Sequence, residues 1–98
     1  MIDPLLSPQS YESLTISSAA VALTAPQSKV TGHKPAGAFL SVESYAIRYR
    51  LDGVAPTASE GHLMNVGDTV LLSGTPSVLG FLGIRVTSDA IVKVTYFY

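Results

Sequence analysis

The chain has 98 residues, 47% of them hydrophobic and only 13% charged, with Lys plus Arg at 6, Asp plus Glu at 7 and a net charge of −1. That length holds one small core and no second, and the apolar content excludes wholesale disorder. The balanced charge argues against a nucleic-acid binder that works by counterion release. The absence of cysteine excludes disulfides, thiolate nucleophiles and cysteine metal sites together.

The chain opens Met1-Ile2-Asp3-Pro4-Leu5-Leu6-Ser7-Pro8-Gln9-Ser10. The first charge is acidic and two prolines interrupt the apolar residues, so no secretory signal is expected. No stretch approaches the roughly 20 apolar residues that cross a bilayer, and no membrane partner is expected. Each proline fixes its own φ and pushes the residue before it toward extended backbone. Residues 1–10 therefore read as an extended arm, with Ile2, Leu5 and Leu6 available to cover its own domain or to reach a neighbouring subunit. Residues 11–98 read as a single domain.

Val, Ile and Thr together number 23, and Gly and Pro punctuate the chain densely. Both features favour pleated sheet over helix. Alternation predicts strands over 11–17, 20–24 and 38–43, then over 45–51, where Tyr45, Ile47, Tyr49 and Leu51 share one face and Arg48 and Arg50 the other. Further strands are expected near 62–64, over 69–73, over 82–87 and over 90–98. Asp52-Gly53 is expected to turn the chain, because Gly supplies positive φ. Ser88-Asp89 reads as a hairpin joining the last two strands. Residues 25–37, with two prolines, two glycines, His33, Lys29 and Lys34, form the longest loop. Seven or eight short strands at this spacing predict an all-β fold, a small antiparallel β-sandwich that is Ig-like or jelly-roll-like.

Chemistry is scarce. Twelve serines make the nearness of any one to His33 or His62 uninformative, and no nucleophile-elbow pattern occurs. A small hydrolase using either histidine is the weakest reading. No acidic run has calcium-loop spacing, and Gly80-Phe81-Leu82-Gly83 lacks the spacing and the Lys-Ser or Lys-Thr of a phosphate cradle. No catalytic residue, metal ligand or cofactor is therefore assigned. Arg48 and Arg50 form a small basic patch, read either as an interface for an acidic surface or as charges that keep a sheet face soluble. At the C-terminus, strict alternation puts Ile91 and Phe97 opposite Val92, Val94 and Tyr96. One face would be core and the other would expose Ile91 and Phe97 unless something covers them. Ile2, Leu5, Leu6, Arg48, Arg50, Ile91, Phe97 and Tyr98 are the candidate interface residues of a domain working within an assembly.

From Tyr45 the chain runs Tyr45-Ala46-Ile47-Arg48-Tyr49-Arg50-Leu51-Asp52-Gly53, then Ala55-Pro56-Thr57-Ala58-Ser59, Gly61-His62-Leu63-Met64 and Val66-Gly67-Asp68. This pattern resembles small tailed-phage and prophage virion-associated proteins, which also tend to end in a Ser-Asp-Ala turn and an aromatic strand, as Ser88-Asp89-Ala90 to Tyr98 does here. The likeness covers roughly residues 38–98. Tyr49-Arg50-Leu51-Asp52-Gly53 with Pro56-Thr57 is more weakly similar to Ig-like repeats appended to some glycosidases. The first likeness implies a non-enzymatic virion structural protein, favoured as a head decoration or cement protein. Its partner would be the major capsid protein or another virion protein, and it would act as a homo-oligomer, with a trimer the first expectation. A tail, baseplate or connector component is the alternative. A surface glycan-binding module is a further one, and its sign would be a groove lined by exposed tyrosines.

Overall fold

The computed structural model describes residues 8–28 and 32–98, the side chain of Gln9 excepted. Its strands are β1 (Pro8–Ile16), β2 (Val21–Ala22), β3 (Gly37–Ser44), β4 (Ile47–Arg50), β5 (His62–Met64), β6 (Thr69–Ser73), β7 (Leu82–Arg85) and β8 (Ala90–Phe97), with one short helix, α1 (Thr75–Gly80), between β6 and β7. Two antiparallel four-stranded sheets form, in the orders β1-β8-β3-β6 and β2-β7-β4-β5. First pairs with last, second with seventh, third with sixth and fourth with fifth. This is a long hairpin rolled into a sandwich, the jelly-roll arrangement, and it decides between the two sandwich topologies left open by sequence.

Period-two alternation builds the core. Ala90, Val92, Val94 and Tyr96 of β8 and Ala38, Leu40 and Val42 of β3 turn inward, where Ile16, Ile47, Met64, Leu72, Val78 and Phe81 join them. Each large side chain fully buried in this way contributes about 1.5–3 kcal/mol. Tyr49 stacks on Phe81 with ring centroids 5.6 Å apart. Glu12 closes the open side of the sandwich. Its carboxylate accepts hydrogen bonds from the buried Tyr96 hydroxyl, from Thr24 Oγ1 at 2.7 Å and from the Thr24 N–H at 3.2 Å. The Ala25 N–H in turn donates to the Tyr96 hydroxyl at 3.2 Å.

Four expectations are corrected. The Ser88-Asp89 segment is no hairpin: β7 and β8 lie in different sheets, and the chain crosses between them. Both sides of β8 are taken by the long strands β1 and β3, which offer far more ladder than the four-residue β7. Tyr45 does not begin the fourth strand. The chain turns between sheets at Ser44-Tyr45-Ala46, and Tyr45 takes the left-handed conformation the corner needs, with φ of 60° and 54% exposure. Phe97 is not exposed. It lies in a central strand level with Pro8 and Gly37 and is only 6% exposed; strict alternation ends there, with Tyr96 and Phe97 both buried beside the register shift between Pro8 and Ser10. Residues 8–10, read as the end of the extended arm, belong to β1, with Pro8 opposite Phe97 and Ser10 opposite Tyr96. The rest of that arm, including Ile2, Leu5 and Leu6, lies outside the described residues.

Helix α1 was hidden behind its own punctuation. Pro76 fits the first turn, whose N–H groups have no helical partner anyway. Gly80 ends the helix against the 51–53 turn: a Cβ there would stand 2.2 Å from the Leu51 carbonyl oxygen, and the Gly80 carbonyl accepts the Gly53 N–H at 3.1 Å. The expected Asp52-Gly53 turn is present, with Gly53 at φ 77° and Asp52 Oδ1 accepting the Val54 N–H at 3.3 Å.

Candidate interaction surfaces

The outward faces of both sheets carry the candidate surfaces. On the β1-β8-β3-β6 sheet, register aligns Tyr11 with Thr95, Thr95 with Phe39 and Phe39 with Leu71. These four residues form one row across all four strands. Tyr11 is 63% and Phe39 39% exposed, while Leu71 is half-buried. The next row along is polar: Ser13, Lys93, Ser41 and Thr69. Lys93 is already engaged, with Nζ 3.2 Å from Glu43 Oε2 and 3.0 Å from Ser13 Oγ. The face is thus weakly charged and crossed by a row that carries Tyr11 and Phe39. Tyr11 and Phe39 alternate with the inward residues of their strands. Their convergence with Thr95 and Leu71 depends on a strand order that sequence does not reveal.

Arg48 and Arg50 do project to one face, as alternation predicts, but the protein itself occupies both. Arg48 Nε donates to the Ala58 carbonyl at 3.0 Å and Nη1 to the Gly61 carbonyl at 2.9 Å, which clamps the 58–61 loop to β4. Arg50 pairs with Asp52 at 2.5 Å. That bond, first among the causes, holds the Arg50 guanidinium above its ordinary range and the Asp52 carboxyl below its own. Between the arginines and their cross-strand neighbours Leu63, Ile84 and Leu82, the second sheet offers a mixed surface.

The remaining candidates are spread out. Ile91 is half-buried in β8, level with Thr15 and Ser44. Tyr98 is half-buried and its hydroxyl is used within the chain, 2.6 Å from the Pro26 carbonyl and 3.1 Å from Ser10 Oγ. It ties the C-terminus to the loop after β2 and to β1.

A cleft of about 540 Å³ lies beside Arg50, Leu51, Asp52, Glu60, Gly61 and His62. His62 is exposed there, its ring 5.4 Å from that of Tyr49. Among the described residues, no three His, Cys, Asp or Glu side chains are grouped to hold a metal ion, and no helix is long and apolar enough to cross a membrane. The two most exposed tyrosines do not share a groove. Tyr11 is level with Thr95, whereas Tyr45 follows Ser44, which is level with Ile91. The four-position separation of Thr95 and Ile91 corresponds to about 13 Å of strand.

No family model, no curated protein and no solved structure matches the chain, so the surfaces have to be read from their own chemistry.

Proposed function

We propose that this is a non-enzymatic virion structural protein that decorates a phage head, docking by a sheet face on the repeating surface of the major capsid protein. The observation that carries the reading is the outward Tyr11–Thr95–Phe39–Leu71 row, with Tyr11 and Phe39 exposed, on a weakly charged sheet face. Aromatic groups on such a face bury much area at small entropic cost, and interface cores are depleted in charge and enriched in aromatics. Repetition on a lattice then multiplies modest contacts. The jelly roll is a recurrent capsid fold and also a lectin fold, so fold alone does not assign the role. The separation of Tyr11 from Tyr45 favours the lattice reading over a glycan groove. No cofactor, nucleic acid or membrane enters the mechanism.

The test is mass spectrometry on separated heads and tails of the source phage. Copies comparable in number to the major capsid protein in the head fraction are expected, with occupancy lost for Phe39→Asp. A few copies confined to tails would move the protein to a connector or baseplate role. Absence from both would end the virion reading.

A further inference from the structure

Strand β1 has nine residues and, among the described residues, is an edge strand paired with β8 alone. Which of its main-chain groups are open follows from the ladder. The Phe97 carbonyl accepts the Ala36 N–H at 2.8 Å, and the Ile91 N–H reaches Ser44 Oγ at 3.3 Å. Odd-numbered residues of β8 therefore turn their main chain toward β3, and even-numbered ones toward β1. Across the β1–β8 register, Ser10, Glu12, Leu14 and Ile16 face β8. Tyr11, Ser13 and Thr15 hold their N–H and C=O groups outward, with no main-chain partner among the described residues. The free edge stops at Ser17, whose carbonyl already accepts the Arg85 N–H at 3.0 Å.

Edge strands are usually guarded by lysine, an inward charge or a bulge. β1 carries Pro8 and a register shift between Pro8 and Ser10 at its start, and its inward charge, Glu12, is satisfied by Tyr96 and Thr24; the stretch from Tyr11 to Thr15 has no lysine, proline or bulge on its open side. We propose that β1 pairs with β1 of a second copy, antiparallel and about a two-fold axis through Ser13. In that register Tyr11 and Thr15 face one another across the axis and Ser13 faces its own copy, so all three open residues exchange both main-chain bonds. Tyr11 against Thr15 is a favourable aromatic and β-branched pair. Shifting the axis to Glu12 sets two carboxylates directly opposite, which is repulsive. The closed two-fold also ends growth, whereas β1 pairing with β6 would run on as a filament. Strands β2 and β5 are too short to compete, and β6 runs directly into α1, which packs against it. The dimer joins two sheets into one eight-stranded surface and brings two aromatic rows onto the same face. It does not depend on the capsid reading and is tested without any phage particle.

The experiment is sedimentation of the purified full chain over a range of concentrations, with three variants. The natural chain is expected as a dimer. Ser13→Pro removes an outward N–H and the Oγ that accepts from Lys93, leaves the β1–β8 ladder intact and is expected to sediment as a folded monomer. The natural sequence lacks cysteine, so Ser13→Cys is expected to oxidise to a covalent dimer, since facing residues in bonded pairs have Cα atoms about 5.5 Å apart, within disulfide reach. Thr15→Cys is expected to stay uncrosslinked, because its copies would lie about 13 Å apart. A natural chain that remains monomeric at its highest soluble concentration would overturn the proposal. So would open-ended polymers, or equal crosslinking by the two cysteine variants. Should Ser13→Pro fail to fold, the contrast between the cysteine variants decides alone.

Discussion

Tyr96 joins the two ends of the sandwich through one hydroxyl, which donates to Glu12 and accepts from the Ala25 N–H. Burial, and then the carboxylate beside it, push its ionisation well above the ordinary tyrosine value of about 10. A proton held more tightly in the folded state than in the unfolded one stabilises the fold fully below the unfolded value. That contribution is lost as pH rises past about 10. Tyr96→Phe should cost about 1–3 kcal/mol at neutral pH by stripping Glu12 and Ala25 of a buried partner. It should also flatten the alkaline fall in stability. Urea unfolding of both proteins from about pH 8 to about pH 11 measures each effect. Parallel alkaline slopes would mean that Tyr96 does not drive the transition. The residue types at this site were plain in the sequence. Their meeting was not, because Glu12 and Tyr96 stand 84 positions apart.

At the scale of elements, strand positions were legible because alternation is a local signal. The stretches 62–64 and 69–73 coincide with β5 and β6, and the others differ only at their ends. Corners were less legible. Ser44-Tyr45-Ala46 continues the alternation of β4, yet Tyr45 leaves the strand to turn the chain between sheets. A non-glycine residue in the left-handed region costs about 1–2 kcal/mol. Tyr45 is more than half exposed and has little packing to lose. Tyr45→Gly should therefore leave stability unchanged or raise it by up to about 1 kcal/mol, set against the extra entropy of glycine in the unfolded chain. Calorimetry checks the sign. A clear fall in melting temperature would show that the Tyr45 ring supports the corner.

For the molecule as a whole, the rolled topology makes nearly every ladder non-local. Tyr98 bonds Ser10 across 88 positions, and β8 cannot pair with β1 until the chain ends meet. Folding in about milliseconds to seconds is expected for such a contact pattern. The central strands β3 and β8 carry two ladders each, while β2 and β5 are short edges. Native-state hydrogen exchange should find the slowest amides in β3 and β8, near the global unfolding free energy, and much faster exchange in β2 and β5. Uniform protection across all eight strands would refute this hierarchy.

Taken alone, the sequence determined that the protein is all-β, roughly where each strand lies and which side chains of β8 turn inward. Period-two alternation, turn chemistry and composition act over a few residues and are written locally. Only the tertiary structure decided that the sheets roll into a jelly roll, that Ser88-Asp89 crosses between sheets, that Phe97 is enclosed and that Arg48 and Arg50 serve the protein's own loops. It also assembled the Tyr11–Thr95–Phe39–Leu71 row. Each of these depends on which strands become neighbours, and that is settled by burying both sheet faces against one another at once, a condition no short segment of sequence contains.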